Sequence, residues 1–244
     1  MIPKVIYYAW FGNKELPDTA KKNIFKWKLL NPSFKVKEIN ESNFDISSFD
    51  FTREAYEHGN WAFVSDVARL YMVFNHGGFY FDIDVEELLP IDKRFLEFSS
   101  VWSLENSDSI ATGLFFGAEK GNPHLKNILD IYKHLSYSEE NLINLVTVPI
   151  VTKYFLEHGF KMLNKKQVLA DNSLILPTSY FAPLHYWGGG HVTKKTHGIH
   201  HYKATWVNNK SKLSGNYIKK NFILHFSFLY WYLFKIKHYF TNIM

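Results

Sequence analysis

The stretch NWAFVSDVARLYMVFNHGGFYFDIDVEELLP, residues 60–90, decides the fold. Its first part, NWAFVSDVARLYMVFNHGG (60–78), has apolar residues at helical spacing and stops at Gly77 and Gly78, which predicts a helix with a glycine C-terminus. FYFDIDVEELLP follows without a linker and reads as a strand. Residues i and i+2 of a strand face the same side, so Asp82 and Asp84 would present two carboxylates to one point. On the helix, Asp66 and Arg69 share a face and can form an ion pair. Two glycines turn that polar face back towards the strand, so four charged side chains are expected at one site.

Upstream, KVIYYAWFG (4–12) is β-branched and aromatic and reads as a buried first strand. PDTAKKNIFKWKLLNP (17–32) predicts an amphipathic helix with Asp18 or Thr19 as N-cap and Ile24, Trp27 and Leu30 on one face. FKVKEI (34–39) alternates as a second strand does. This opening β-α-β begins a nucleotide-binding α/β layer. Downstream, VWSLEN and SIATGLFFGAE read as strands, 122–135 as a helix, and 142–158 as a helix broken near Pro149. From 166 to 230 the pattern is short strands and long loops, including a glycine run at 188–190. The expected organisation is one α/β domain over 1–212 and an apolar, basic-flanked tail over 213–244.

With 244 residues and 46% hydrophobic content the chain can bury a sizeable core. Aromatic residues make up 18%, enough to leave rings half-exposed for planar groups or sugar faces. The net charge of +5 favours phosphate-bearing partners, and no nucleic-acid-binding signature is present. The chain has no cysteine, which excludes disulfides and thiolate metal sites, so any metal must sit on carboxylates, imidazoles or phosphate oxygens. The N-terminal MIPKVIYYAWFG has none of the features of a signal peptide, and a cytoplasmic protein is expected.

Paired carboxylates suit Mg²⁺ or Mn²⁺, which take oxygen ligands and leave part of the shell to substrate phosphates. Ten aspartates in this length predict roughly 0.4 D-x-D pairs by chance. The pair gains weight from the S-D-x-x-R element at 65–69.

AFVSDVARLYMVFNHGGFYFDIDV (62–85) resembles the S-D-x-x-R, G-G and D-x-D block of sugar-nucleotide glycosyltransferases. IPKVIYYAWFG is similar to the N-terminal strand of glycosyltransferase family 32, with Tyr7 where that family usually has His. GIHHYKATW (198–206) resembles its late H-H-x-x-x-S-W segment, with Thr205 in place of Ser. The family includes capsule and lipopolysaccharide enzymes, and clostridial toxin glucosyltransferase domains are distant relatives. The resemblance implies a GT-A fold: a Rossmann-like mixed sheet flanked by helices, with a loop-rich C-terminal acceptor region.

It also implies roles. Tyr8, Ala9 and Trp10 would line the donor's base, and Asp66 and Arg69 would bind and orient its sugar. Asp82 would reach the ribose and a metal-bound water, while Asp84 would ligate Mn²⁺ or Mg²⁺. One of His200 and His201 would complete the metal shell, and Trp206 would contact the diphosphate or sugar. Asn106 would be a sugar contact. Aromatic loops at 103–112 and 180–197 would stack against the acceptor glycan.

The implied reaction is retaining hexose transfer from a nucleotide sugar, UDP-linked, to a surface polysaccharide. No second carboxylate stands out as nucleophile, and the leaving phosphate itself can take the acceptor's proton. Two alternatives compete: a phosphohydrolase of the haloacid dehalogenase class, and a catalytically silent carbohydrate-binding protein. The tail NFILHFSFLYWYLFKIKHYF (221–240) fits either an interfacial segment on the inner face of the cell membrane, beside a lipid-linked acceptor, or a buried terminal element.

Overall fold

A computed structural model of the protein describes residues 1–202 and 222–241. The chain opens with β1 (Val5–Ala9), α1 (Asp18–Leu30) and β2 (Lys35–Ile39), followed by α2 (Asp50–Glu57), α3 (Trp61–His76), β3 (Gly78–Tyr80) and β4 (Val85–Glu87). β5 (Ser100–Asn106), β6 (Ser109–Ile110) and β7 (Phe116–Ala118) precede α4 (Pro123–Lys133), α5 (Leu142–Leu145) and α6 (Thr147–Glu157). The remaining elements are β8 (Gln167–Val168), β9 (Ser173–Leu176), β10 (Gly198–His200) and α7 (Ser227–Thr241).

The main sheet runs β2-β1-β3-β7-β5-β9-β8, with β6 paired to β5, and β10 and β4 form a separate ribbon. β1 is parallel to both β2 and β3, and β7 then reverses the direction. Helices cover both faces, so β1 is buried on each side and reads as a continuous apolar run. Tyr7 and Ala9 join the core under α2, α3, α4 and α6, whereas Ile6 and Tyr8 join the core under α1. Trp27 of α1 is fully buried there, 5.2 Å from the Phe81 ring. Truncating such a residue to Ala costs about 3–5 kcal/mol.

Several local expectations are corrected. The strand expected to run from Phe79 past Asp84 ends at Tyr80, and a turn through Ile83 and Asp84 separates it from β4. Pro17, not Asp18 or Thr19, holds the N-cap position of α1, where its fixed φ suits helix entry and Asp18 becomes the first helical residue. Leu30 is only half-buried, and Ala20 completes the buried face with Ile24 and Trp27. The break in 142–158 falls at Val146, and Pro149 sits in the first turn of α6, where no intrahelical N–H bond is lost. The tail, whose sequence fits either an interfacial segment or a buried terminal element, is helical from Ser227, with Tyr230, Trp231 and Phe234 packed on the main core. The expected boundary at 212/213 lies outside the described residues.

α3 ends as its glycines predict. Gly77 adopts φ 67° and its N–H bonds to the Val73 carbonyl, which closes the helix and redirects the chain into β3.

Candidate active site

β1 and β3 are adjacent and parallel, with Tyr7 opposite Tyr80, so their carboxyl ends open at one edge of the sheet. Ligands of open α/β sheets bind outside such ends. The Phe81 N–H still bonds to the Tyr7 carbonyl at 3.0 Å, and the chain then leaves β1. Asp82 N–H donates to the Gly113 carbonyl at 2.9 Å, and Val85 N–H donates back to the Asp82 carbonyl at 3.0 Å. The two aspartates therefore converge through a tight turn, not through strand alternation. Helix α1 braces that turn: Asn23 Nδ2 donates to the Ile83 carbonyl at 2.9 Å and Trp27 Nε1 to the Val85 carbonyl at 3.0 Å.

His200 completes a cluster with the aspartates. Its Nε2 lies 3.0 Å from Asp84 Oδ1 and 3.8 Å from Asp82 Oδ2. One ligand atom from each of Asp82, Asp84 and His200 falls within 4.8 Å of the others. Burial disfavours the charged imidazole, but the two carboxylates outweigh it and push His200 up to about 10. The group is thus an imidazolium at neutral pH, a single positive charge shared between two acids. Two carboxylates and one imidazole could together hold a divalent cation in place of that proton. His200 Nδ1 is buried with no hydrogen-bond partner among the described residues.

Behind the cluster, α3 supplies a buried charged layer. Arg69 Nη2 donates to Asp66 Oδ1 at 2.6 Å, Nη1 lies 3.4 Å from Asp82 Oδ1, and Nε donates to the Ser65 carbonyl at 3.0 Å. Its guanidinium also sits 4.9 Å from the centre of the Tyr80 ring. Burial opposes the charge on Arg69, but Asp82, Tyr80 and Asp66 outweigh it and hold the guanidinium protonated. Burial pushes Asp66 up from its usual value while Arg69 pulls it down. The second oxygen of Asp66 accepts from Thr147 N–H at 3.3 Å, which ties α6 to the site.

Two contributors escaped the sequence reading as site residues. Tyr80 OH donates to Asp82 Oδ1 at 2.9 Å, and burial pushes that phenol far up, so the donor proton stays in place. Gly113 passes so close to the site that a Cβ there would lie 2.1 Å from Asp82 Oδ2 and 3.1 Å from Arg69 Nη1. The signal for Gly113 was glycine inside the strand-like run SIATGLFFGAE, which has one at 113 and another at 117, a mark of close backbone approach.

The other expected residues fall as follows. Ala9 is buried at the end of β1, and Tyr8 directs its hydroxyl to Glu38 Oε2 at 2.8 Å. Trp10 is half-buried just beyond β1, with Nε1 donating to the Lys14 carbonyl at 2.5 Å. His201 is not in the cluster: its Nε2 meets Glu86 Oε2 at 3.1 Å, and Lys26 binds the other oxygen of Glu86 at 3.1 Å. Asn106 accepts from Trp187 Nε1 at 2.8 Å, and Trp187 stacks on His185 with centroids 4.6 Å apart. The Tyr202 ring contacts His200 at 4.4 Å and Tyr186 at 5.5 Å, so the aromatic segment 185–187 connects to the cluster. Trp206 lies outside the described residues.

Residues 17–102, which contain α1, α3 and the D-x-D turn, match the family described as "Glycosyltransferase sugar-binding region containing DXD motif". Among curated protein sequences none matches the chain. Among solved structures the chain is similar to "PaToxG Glycosyltransferase", at 18% identity over 64% of this chain and 68% of that one, with a TM-score of 0.55. It also aligns with a "glycosyltransferase involved in the glycosylation of the major capsid of PBCV-1", at 11% identity over 87% and 98% of the two chains and a TM-score of 0.46. The first likeness shows the fold, and the family match covers the aspartate turn and the arginine helix. The chain thus has a GT-A type mixed sheet flanked by helices, and its residues 17–102 carry the glycosyltransferase sugar-binding region with the DXD motif.

Proposed function

We propose that the protein transfers a hexose from a nucleotide sugar, UDP-linked, to a glycan acceptor of a surface polysaccharide, with retention at the anomeric carbon and dependence on Mn²⁺ or Mg²⁺. The observation that carries this reading is the convergence of Asp82, Asp84 and His200 at the carboxyl edge of β1 and β3, backed by the buried Asp66–Arg69 pair. A capsule or lipopolysaccharide role extends the family 32 resemblance, and the enzyme would work in the cytoplasm.

Asp82, Asp84 and His200 would hold the metal. When bound, the metal neutralises charge that develops on a departing diphosphate. Arg69 braces Asp82 from behind and fixes Asp66, whose position favours orientation of the donor's sugar. Trp10, half-buried past β1, would pack against the base. Every acid of the inner site is engaged: Asp66 and Asp82 with Arg69, and Asp84 with His200. That arrangement supports a reaction in which the leaving phosphate, not a dedicated side-chain base, accepts the acceptor's proton. Asn106 and the stacked His185 and Trp187 would face the acceptor.

The test is a mixture of UDP- and GDP-hexoses incubated with the protein and Mn²⁺, with consumption followed by mass spectrometry and product configuration by NMR. Consumption of one UDP-hexose with retained configuration is expected. An inverted product would overturn the retaining assignment, and preference for GDP-hexoses would overturn the donor assignment.

A further inference from the structure

At about 100° per residue, α7 divides into two faces. Ser227, Tyr230, Trp231 and Phe234 lie on one side, where the three aromatic residues pack on the core and Ser227 Oγ accepts from Asn164 N–H at 3.3 Å. The opposite side presents Leu229, Tyr232, Leu233 and Ile236, with Phe228 at its margin. These are outward-facing apolar residues: Phe228 is 73% exposed, Tyr232 56%, Leu233 52% and Leu229 45%. Phe222 and Phe226, both exposed and stacked with centroids 5.0 Å apart, extend the patch towards the start of the helix. Lys235 and Lys237 stand at the two boundaries between the faces, and both are exposed.

Charge along the chain is as uneven as the helix. Asp171 is the last acidic residue; residues 172–244 contain nine lysines and no Asp or Glu, whereas residues 1–171 contain 19 basic and 23 acidic residues. The apolar face therefore belongs to the part of the chain that is wholly cationic.

We propose that the outward face of α7 docks on an anionic lipid bilayer, with its apolar side chains at the level of the headgroup and acyl boundary and the flanking lysines on lipid phosphates. An exposed aromatic and aliphatic face with lysine edges is what an interfacial helix presents, and a basic segment gains from the negative surface potential. Among the described residues no helix is long and apolar enough to cross a membrane, so docking on the surface is the mode proposed. A second copy of this chain fits less well, because lysines at both edges would face lysines of the copy.

The helix is held beside the site. Ile223, four residues before the start of α7, is buried, and its carbonyl accepts from Ser107 Oγ at 3.2 Å on the turn between β5 and β6. Docking would thus bring the bilayer close to Asn106 and its partner Trp187. Lipid docking stands independently of the donor chemistry. Only the further consequence, presentation of a lipid-linked acceptor to these residues, rests on the proposed function.

Sedimentation of the full chain with phosphatidylcholine vesicles, with or without about 30 mol% phosphatidylglycerol, tests the proposal. Binding to the anionic vesicles is expected to be at least about tenfold tighter, and to weaken with salt. Leu229→Glu with Leu233→Glu should reduce it at least about tenfold, because the altered side chains would have to leave the interface. Donor hydrolysis and melting temperature should hold in that double variant. Phe25→Glu with Leu29→Glu, on an exposed apolar patch of α1, should leave binding unchanged. Failure of the unaltered protein to bind anionic vesicles overturns the proposal whatever the variants do. A concentration-dependent dimer that the α7 variant abolishes, without vesicle binding, overturns it in favour of self-association. Because vesicle binding and donor hydrolysis are read separately, loss of one does not decide the other.

Discussion

Nε2 of His200 lies 3.0 Å from Oδ1 of Asp84, close enough for the imidazole and the carboxylate to share either a proton or a divalent cation. The imidazole is pushed up to about 10 from a usual 6.5, so the folded protein binds this proton more tightly than the unfolded chain does. The stabilisation from that contact is full below about 6.5 and is lost as pH rises towards about 10. Metal binding has the opposite dependence, since the ligand must be deprotonated. Mn²⁺ affinity, read by electron paramagnetic resonance, should rise with pH by up to about tenfold per unit between pH 6 and 9. A flat profile in the unaltered protein would count against His200 as a ligand.

Arg69 bridges Asp66 and Asp82 from a buried position, and a lysine cannot reproduce its fork. Arg69→Ala should destabilise the protein by about 3 kcal/mol, because buried Asp66 loses its charged partner and half-buried Asp82 loses a second one. Arg69→Lys should fold with a smaller loss and turn over at least about tenfold more slowly, as one ammonium cannot hold both acids in place. Urea midpoints together with turnover distinguish the two. Equal loss of stability in both variants would remove the argument from fork geometry.

Gly113→Ala places a methyl group where Asp82 Oδ2 now lies. The carboxylate must move, and displacement by about 1 Å in a catalytic site costs on the order of 10²-fold in rate. Stability should change by only about 1–2 kcal/mol, because one side chain shifts and no cavity opens. A kinetic assay alongside thermal melting tests this, and an alanine variant of normal activity would show Asp82 to be placed loosely.

Glu87 is fully buried in β4, where burial pushes its carboxyl up to about 8 although Asn31 Nδ2 donates to it at 2.8 Å. The folded state therefore holds this proton and the unfolded chain releases it near 4.5. Stability contributed by the protonated acid is present below about 4.5 and declines as pH rises to about 8, by on the order of 5 kcal/mol. Glu87→Gln should remove most of that decline. Denaturation midpoints measured at pH 5 and pH 8 for both proteins give the comparison; parallel slopes would contradict it.

Spacing made much of the site legible. Asp66 and Arg69 share a helix face because they lie three residues apart, and the structure pairs them. Gly77 was readable as a helix end because a positive φ there is easiest for glycine. The convergence of Asp82 and Asp84 was expected on strand alternation, whereas a turn braced by Asn23 and Trp27 brings it about. Those braces come from a helix some 60 residues earlier, and local pattern carries no trace of them. The choice between His200 and His201 depended on the phase of β10 against β4, where His200 pairs with Val85. Adjacent strand residues face opposite ways, so one imidazole had to turn to the aspartates, but the partner strand decides which. Helix α2 had no expectation because Phe49 at its N-cap makes no side-chain capping bond and gives no start signal.

The most direct measurement of the account is nucleoside diphosphate release from a UDP-hexose in the presence of Mn²⁺, for the unaltered protein and for Asp84→Asn. The account predicts turnover that chelation abolishes and that falls at least about 10³-fold in Asp84→Asn, with an unchanged circular dichroism spectrum. Metal-independent release, or full Mn²⁺-dependent turnover by a folded Asp84→Asn protein, would contradict it.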